Sequence, residues 1–132
     1  MRNPWICAAL VFLPIASAAQ TVVQPLVEVP DKKGKLLADG SIRFEVHVTC
    51  VPFGDTGENN VTVTQDDQRL SAQRGIGTLD CDGKRHKYRI VAKPVEGSFH
   101  EGTAQVSAFV SQIDTSTSEA RQGQATAAIE VK

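Results

Sequence analysis

The chain has 132 residues, with 14 basic and 15 acidic side chains and a formal net charge of −1. That near-balance excludes the strong basic excess of a dedicated nucleic-acid binder. The length suits a single domain with a real core.

From the N-terminus, one basic residue, Arg2, precedes an apolar run from Ile6 to Ala19, which closes in Ala16-Ser17-Ala18-Ala19. A charged start, an apolar stretch and small residues at the end are the pattern of a secretory signal peptide. We therefore expect a leader over residues 1–19 and a domain over 20–132, exported to an extracellular or periplasmic space. Cleavage removes Arg2 and leaves 13 basic against 15 acidic residues. It also removes Cys7, Trp5 and Phe12, so that Cys50 and Cys81 become an even pair in an oxidising compartment, where a disulfide persists. No second apolar stretch is long enough to span a bilayer. The end at Ile129-Glu130-Val131-Lys132 carries no anchor signal, so the expected product is released and soluble.

Strand signals follow in chain order. Val22–Val29 is a weak candidate, and Asp31-Lys32-Lys33-Gly34 reads as a polar connector. Ser41–Cys50 is the clearest strand: Ile42, Phe44, Val46, Val48 and Cys50 alternate with Arg43, Glu45, His47 and Thr49. A period of two predicts one buried and one wet face, with His47 on the wet one. Asn60–Gln65 and Ile76–Cys81 are weaker. Lys84–Pro94 alternates cleanly, with His86, Tyr88, Ile90 and Ala92 inward and Arg85, Lys87, Arg89 and Lys93 outward. Thr103–Ile113 points Ala104, Val106, Ala108 and Val110 inward and Phe109 outward, and Gln124–Val131 closes the set. No segment has a helical period. Seven short alternating strands with polar or Gly/Pro connectors read as an all-β antiparallel two-sheet sandwich.

Strand count, strand order and the Gly102-Thr103-Ala104-Gln105-Val106-Ser107-Ala108 opening of the sixth strand resemble the immunoglobulin-like fold. The resemblance implies that Ser41–Cys50 and Lys84–Pro94 are antiparallel neighbours. Cys50 at the end of one strand and Cys81 before the other would then meet at one end of the domain.

Motifs for chemistry are sparse. His47, His86 and His100 have no paired metal-ligand spacing, and no nucleophile elbow, phosphate loop or cofactor motif is present. Asp80 and Asp82 flank Cys81, and Asp66-Asp67 fall in a loop, without the spacing of a calcium loop. The most distinctive surface feature is the basic row Arg85, Lys87, Arg89 and Lys93, which Arg43 joins if the two clear strands pair. An outward Phe109 beside Ile113 would add an apolar contact point. These residues point to a non-catalytic binding module that acts through a sheet face or end loops on a protein or an anionic surface polymer. The alternatives are a small secreted hydrolase or metal-dependent enzyme with a loop site near the disulfide, and a structural envelope protein.

Overall fold

Alternation at Ile42–Thr49 produces the middle strand of the architecture, seen in a computed structural model that describes residues 24–132. The signal-peptide reading of residues 1–19 lies outside the described residues. In chain order the strands are β1 (Leu26–Glu28), β2 (Lys33–Leu36), β3 (Ile42–Thr49), β4 (Asp55–Gln65), β5 (Leu70–Gly75), β6 (Arg85–Ala92), β7 (Gly102–Asp114) and β8 (Glu119–Val131). The described chain is all-β.

Hydrogen bonding links all eight strands into one mixed sheet, in the order β1-β3-β2-β8-β7-β4-β5, with β6 on the other edge of β3. β3 and β6 pair antiparallel from Ile42↔Ala92 to Thr49↔Arg85, which is the neighbour relation expected from the sequence. β1 and β2 share the opposite edge of β3, β1 beside its C-terminal half and β2 beside its start. β2 then departs from the expected antiparallel scheme. Its Lys33 and Gly34 pair parallel with Glu130 and Val131 of β8, so that β3 and β8 are linked through β2 into one sheet.

One cluster holds the core. β3 contributes Ile42, Phe44, Val46 and Val48; β4 and β7 contribute Val61, Val63, Val106 and Val110, and β8 adds Ile129 and Val131. Each alternating strand thus turns its branched apolar set to the same interior. Phe99, Ile76 and Leu79 enter from loops and are also buried.

Two strand expectations are corrected. The segment Ile76–Cys81 is not a strand; the fifth strand is Leu70–Gly75. Asn59 explains the break, because its side chain accepts from the amide of Ile76 at 3.2 Å and donates to the carbonyl of Gly77 at 3.0 Å. A side chain thereby occupies backbone groups that a ladder would use, and Gly77 turns the chain away at φ +111°. The second correction is β2, whose Lys33 and Gly34 fall in the segment expected to be a connector. Gly34 breaks its alternation, yet this glycine is what the packing requires. A Cβ there would lie 2.8 Å from Ile42 Cγ2 and 3.0 Å from Ile129 Cδ1.

Candidate functional site

The disulfide end is built first by backbone register. Thr49↔Arg85 closes the β3–β6 ladder, so Cys50 emerges beside the segment leading into β6. Cys50 and Cys81 are bonded, with Cα atoms 4.6 Å apart and a sequence separation of 31. Asp82 and Gly83 form the turn: Asp82 accepts from the amide of Lys84 at 2.9 Å, Gly83 adopts φ +82°, and its amide donates to the carbonyl of Cys50. The bond from Lys84 holds the Asp82 carboxyl below its ordinary range, helped by His86. Gln112, 1% exposed, donates from Nε2 to the carbonyl of Val51 at 2.9 Å. Beside it opens a cleft of about 580 Å³, lined among others by Pro52, Phe53, Asp55, Leu79 and Cys81. Asp55 is the one carboxylate of that lining, whereas acid–base hydrolysis calls for a pair of groups in defined roles. Among the described residues, no group of three or more His, Cys, Asp or Glu is placed to hold a metal ion.

The basic row occupies the side of β3 and β6 away from the core. Alternation puts Arg43, Glu45, His47 and Thr49 opposite Val91, Arg89, Lys87 and Arg85 across the ladder. On the far edge, Lys35 of β2 stands beside Arg43, and Glu28 of β1 stands beside His47. Arg43, Arg85, Lys87 and Arg89 are therefore brought onto one face, joined by Lys35 from β2, a strand that the alternation pattern does not reveal. Two carboxylates interrupt the positive field. Glu28 lies 3.5 Å from the Arg85 guanidinium, and Glu45 lies 3.8 Å from Nε2 of His47.

Two residues stand outside the β3–β6 ladder. Lys93 is exposed, one residue beyond the end of β6. Its charge is felt at Asp39, whose carboxyl is held below its ordinary range chiefly by the Ser41 hydroxyl and amide. Phe109 sits on β7, between Asn60 of β4 and Gln124 of β8, on strands that do not adjoin β3 or β6 in the sheet order. The structure does not bring it to the basic row.

His47 is a correction. It has the outward register expected of it, yet only 4% of it is exposed, and neither ring nitrogen has a hydrogen-bond partner. A central strand gives the reason: His47 is flanked in the sheet by Glu28 of β1 and Lys87 of β6, and the Glu45 carboxylate on its own strand lies 3.8 Å from its Nε2. Alternation identifies the face of a residue; the lengths of its neighbours decide whether water reaches it.

A second polar cluster closes the opposite end of β4. Asp66, Asp67 and Gln68 turn β4 into β5 with all three at positive φ. Buried Gln65 donates to the carbonyl of His100 at 2.8 Å and accepts from its amide at 3.0 Å. The His100 ring then bridges the Glu101 carbonyl, 2.7 Å from Nδ1, and the Asp66 carboxylate, 2.9 Å from Nε2. Those acceptors raise the imidazole pKa above its ordinary value, the Glu101 carbonyl first and Asp66 next.

With this geometry in hand, comparison with known families is informative. A profile described as a family of unknown function, DUF6299, matches residues 25–126. The chain belongs to this family. No curated protein and no solved structure matches it. The stretch shared with DUF6299 runs from the residue before β1 into β8, and it includes the disulfide and the β3–β6 face. Among the described residues, no helix is long and apolar enough to cross a membrane.

Proposed function

We propose that the protein is an exported, non-catalytic binding domain that uses the outer face of β3 and β6 to hold an anionic polymer or an acidic partner. The observation that carries this reading is the register of β3 against β6, which gathers Arg43, Arg85, Lys87 and Arg89 on one exposed side. With Lys35 added, five cations stand against two carboxylates there, in a chain whose net charge is slightly negative. A patch of one sign on a low-dielectric wall attracts the opposite charge. Export is supported by the apolar leader pattern and is consistent with the disulfide. For the architecture, we propose an immunoglobulin-like arrangement in which the sheet folds over into two layers at β2. The split pairing of β2, to β3 and then to β8, and the single core cluster support it.

Retention of the protein on an immobilised polyanion such as heparin tests the reading. We expect retention that weakens as salt rises, since exposed charges are screened over about 8–10 Å at physiological ionic strength. Arg85, Lys87 and Arg89 changed together to Ser should abolish it without lowering the melting temperature. Equal retention of wild type and triple variant overturns the assignment.

A further inference from the structure

The opposite strands carry a face of a different kind. Across β5, β4, β7 and β8, one row reads Ser71, Thr64, Gln105 and Ala128. The next reads Gln73, Thr62, Ser107 and Thr126. The third reads Gly75, Asn60, Phe109 and Gln124. All twelve are exposed or half-buried, and they alternate with buried residues such as Val61, Val63, Val106 and Ala108. None is charged. Surfaces of small domains are about 25–35% charged, so roughly three or four charges are expected in twelve positions. Charge resumes at the border, where Thr103 donates to Glu130 at 2.7 Å and where Asp66 and Asp67 share a cleft with Thr64 and Gln105.

Three further features point to what such a face accepts. Its hydroxyls and amides each both donate and accept, matching a ligand whose own groups do the same. A trough of about 290 Å³ crosses it, with Thr62, Thr64, Gln105, Ser107 and Thr126 in its lining. Phe109, half-buried and not packed on the core cluster, stands in the neighbouring row as the one aromatic surface. With strands about 4.8 Å apart and same-side residues about 6.7 Å apart, the corner residues span roughly 14 Å in each direction.

From these features we propose that this face binds an uncharged polysaccharide, with Phe109 against the apolar side of a sugar ring and the trough residues on its hydroxyls. A polyanion finds no cation on the face. A protein partner would seek the aromatic, methionine and arginine anchors that concentrate binding energy, and one phenylalanine is too few. A neutral hydroxylated chain is the class that matches both the lack of charge and the bifunctional groups. The site is separate from the basic face, so the two assignments stand or fall independently.

The test is co-sedimentation of the protein with insoluble cellulose, chitin and α-glucan at moderate salt. We expect at least one of them to deplete the protein. Thr126→Lys, at an exposed position that keeps the fold, and Phe109→Ala should each lower the bound fraction about tenfold, with melting temperatures checked in parallel. The Arg85/Lys87/Arg89 triple Ser variant should sediment as wild type does. No depletion by any of the three polymers overturns the proposal, as does depletion that neither face variant weakens. Concentration-dependent dimerisation abolished by Thr126→Lys, with no polymer bound, also overturns it and assigns the face to a second copy of the chain.

Discussion

His100 presents both ring nitrogens to acceptors, a carbonyl at one and a carboxylate at the other. Only the imidazolium has a proton for each, which is why its pKa is raised from 6.5. A group whose pKa is higher in the folded than in the unfolded state binds protons more tightly when folded. Its contribution to stability is therefore complete below the unfolded value and disappears as pH climbs through the folded one. We predict an NMR titration midpoint for His100 above 6.5, moving down towards it in Asp66→Asn, which also flattens the loss of stability as pH rises above 6.5. A wild-type midpoint at or below 6.5 rejects the clamp. Nothing in the sequence marks this pair, because the partners lie 34 positions apart and meet only through the fold, with Asp66 in the β4–β5 turn. His47 shows the converse: its face was legible and its burial was not, since burial depends on the side chains of two other strands.

At the scale of elements, legibility followed the strength of alternation. β3, β6 and β7 each carry several branched or aromatic residues at period two, and the structure keeps them within a residue or two of the expected bounds. β5 has only Leu70 and Ala72 as inward apolar residues, too weak a signal against the nearby Ile76 and Leu79, which are buried without being in a strand. β2 hid behind its glycine. That glycine leads to a prediction: Gly34→Ala should destabilise the domain by roughly 1–3 kcal/mol, the usual cost of overpacking a filled site. The added methyl would press on Ile42 and Ile129, side chains of the two strands that β2 joins. Urea denaturation measures the effect, and an unchanged midpoint would mean that the junction has slack. Of the candidate face, the β3 and β6 members were readable from the sequence; Lys35 and Glu28 needed the register of the weak strands.

For the whole molecule, the disulfide is the largest single covalent constraint. It closes a loop of sequence separation 31 that contains β4 and β5. On the chain-entropy estimate such a closure contributes roughly 3–4 kcal/mol, a sizeable part of the ~5–15 kcal/mol that holds a domain folded. Cys50→Ala with Cys81→Ala should therefore lower the melting temperature by well over about ten degrees, since 1 kcal/mol moves a domain of this size by about 4–8 °C. Calorimetry decides, and a shift of one or two degrees would show that the core alone sets stability. The two proposed surfaces also concern the molecule entire. A charged side and a neutral side on different strands would let one copy bridge an acidic partner to a glycan surface, where two weak contacts add by proximity.

The parallel stitch between β2 and β8 has a mechanical meaning. Beside the ladder itself, backbone bonds run from Leu36 to Lys132 at 3.0 Å, from Glu130 to Lys32 at 2.9 Å and from Lys132 to Gly34 at 3.1 Å. Because the two strands run the same way, tension between the start of β2 and the end of β8 slides one along the other. The bonds along the junction then carry the load together, where an antiparallel pair pulled at one end would open like a zipper. A protein tethered at both ends to separate surfaces would meet traction with its strongest geometry.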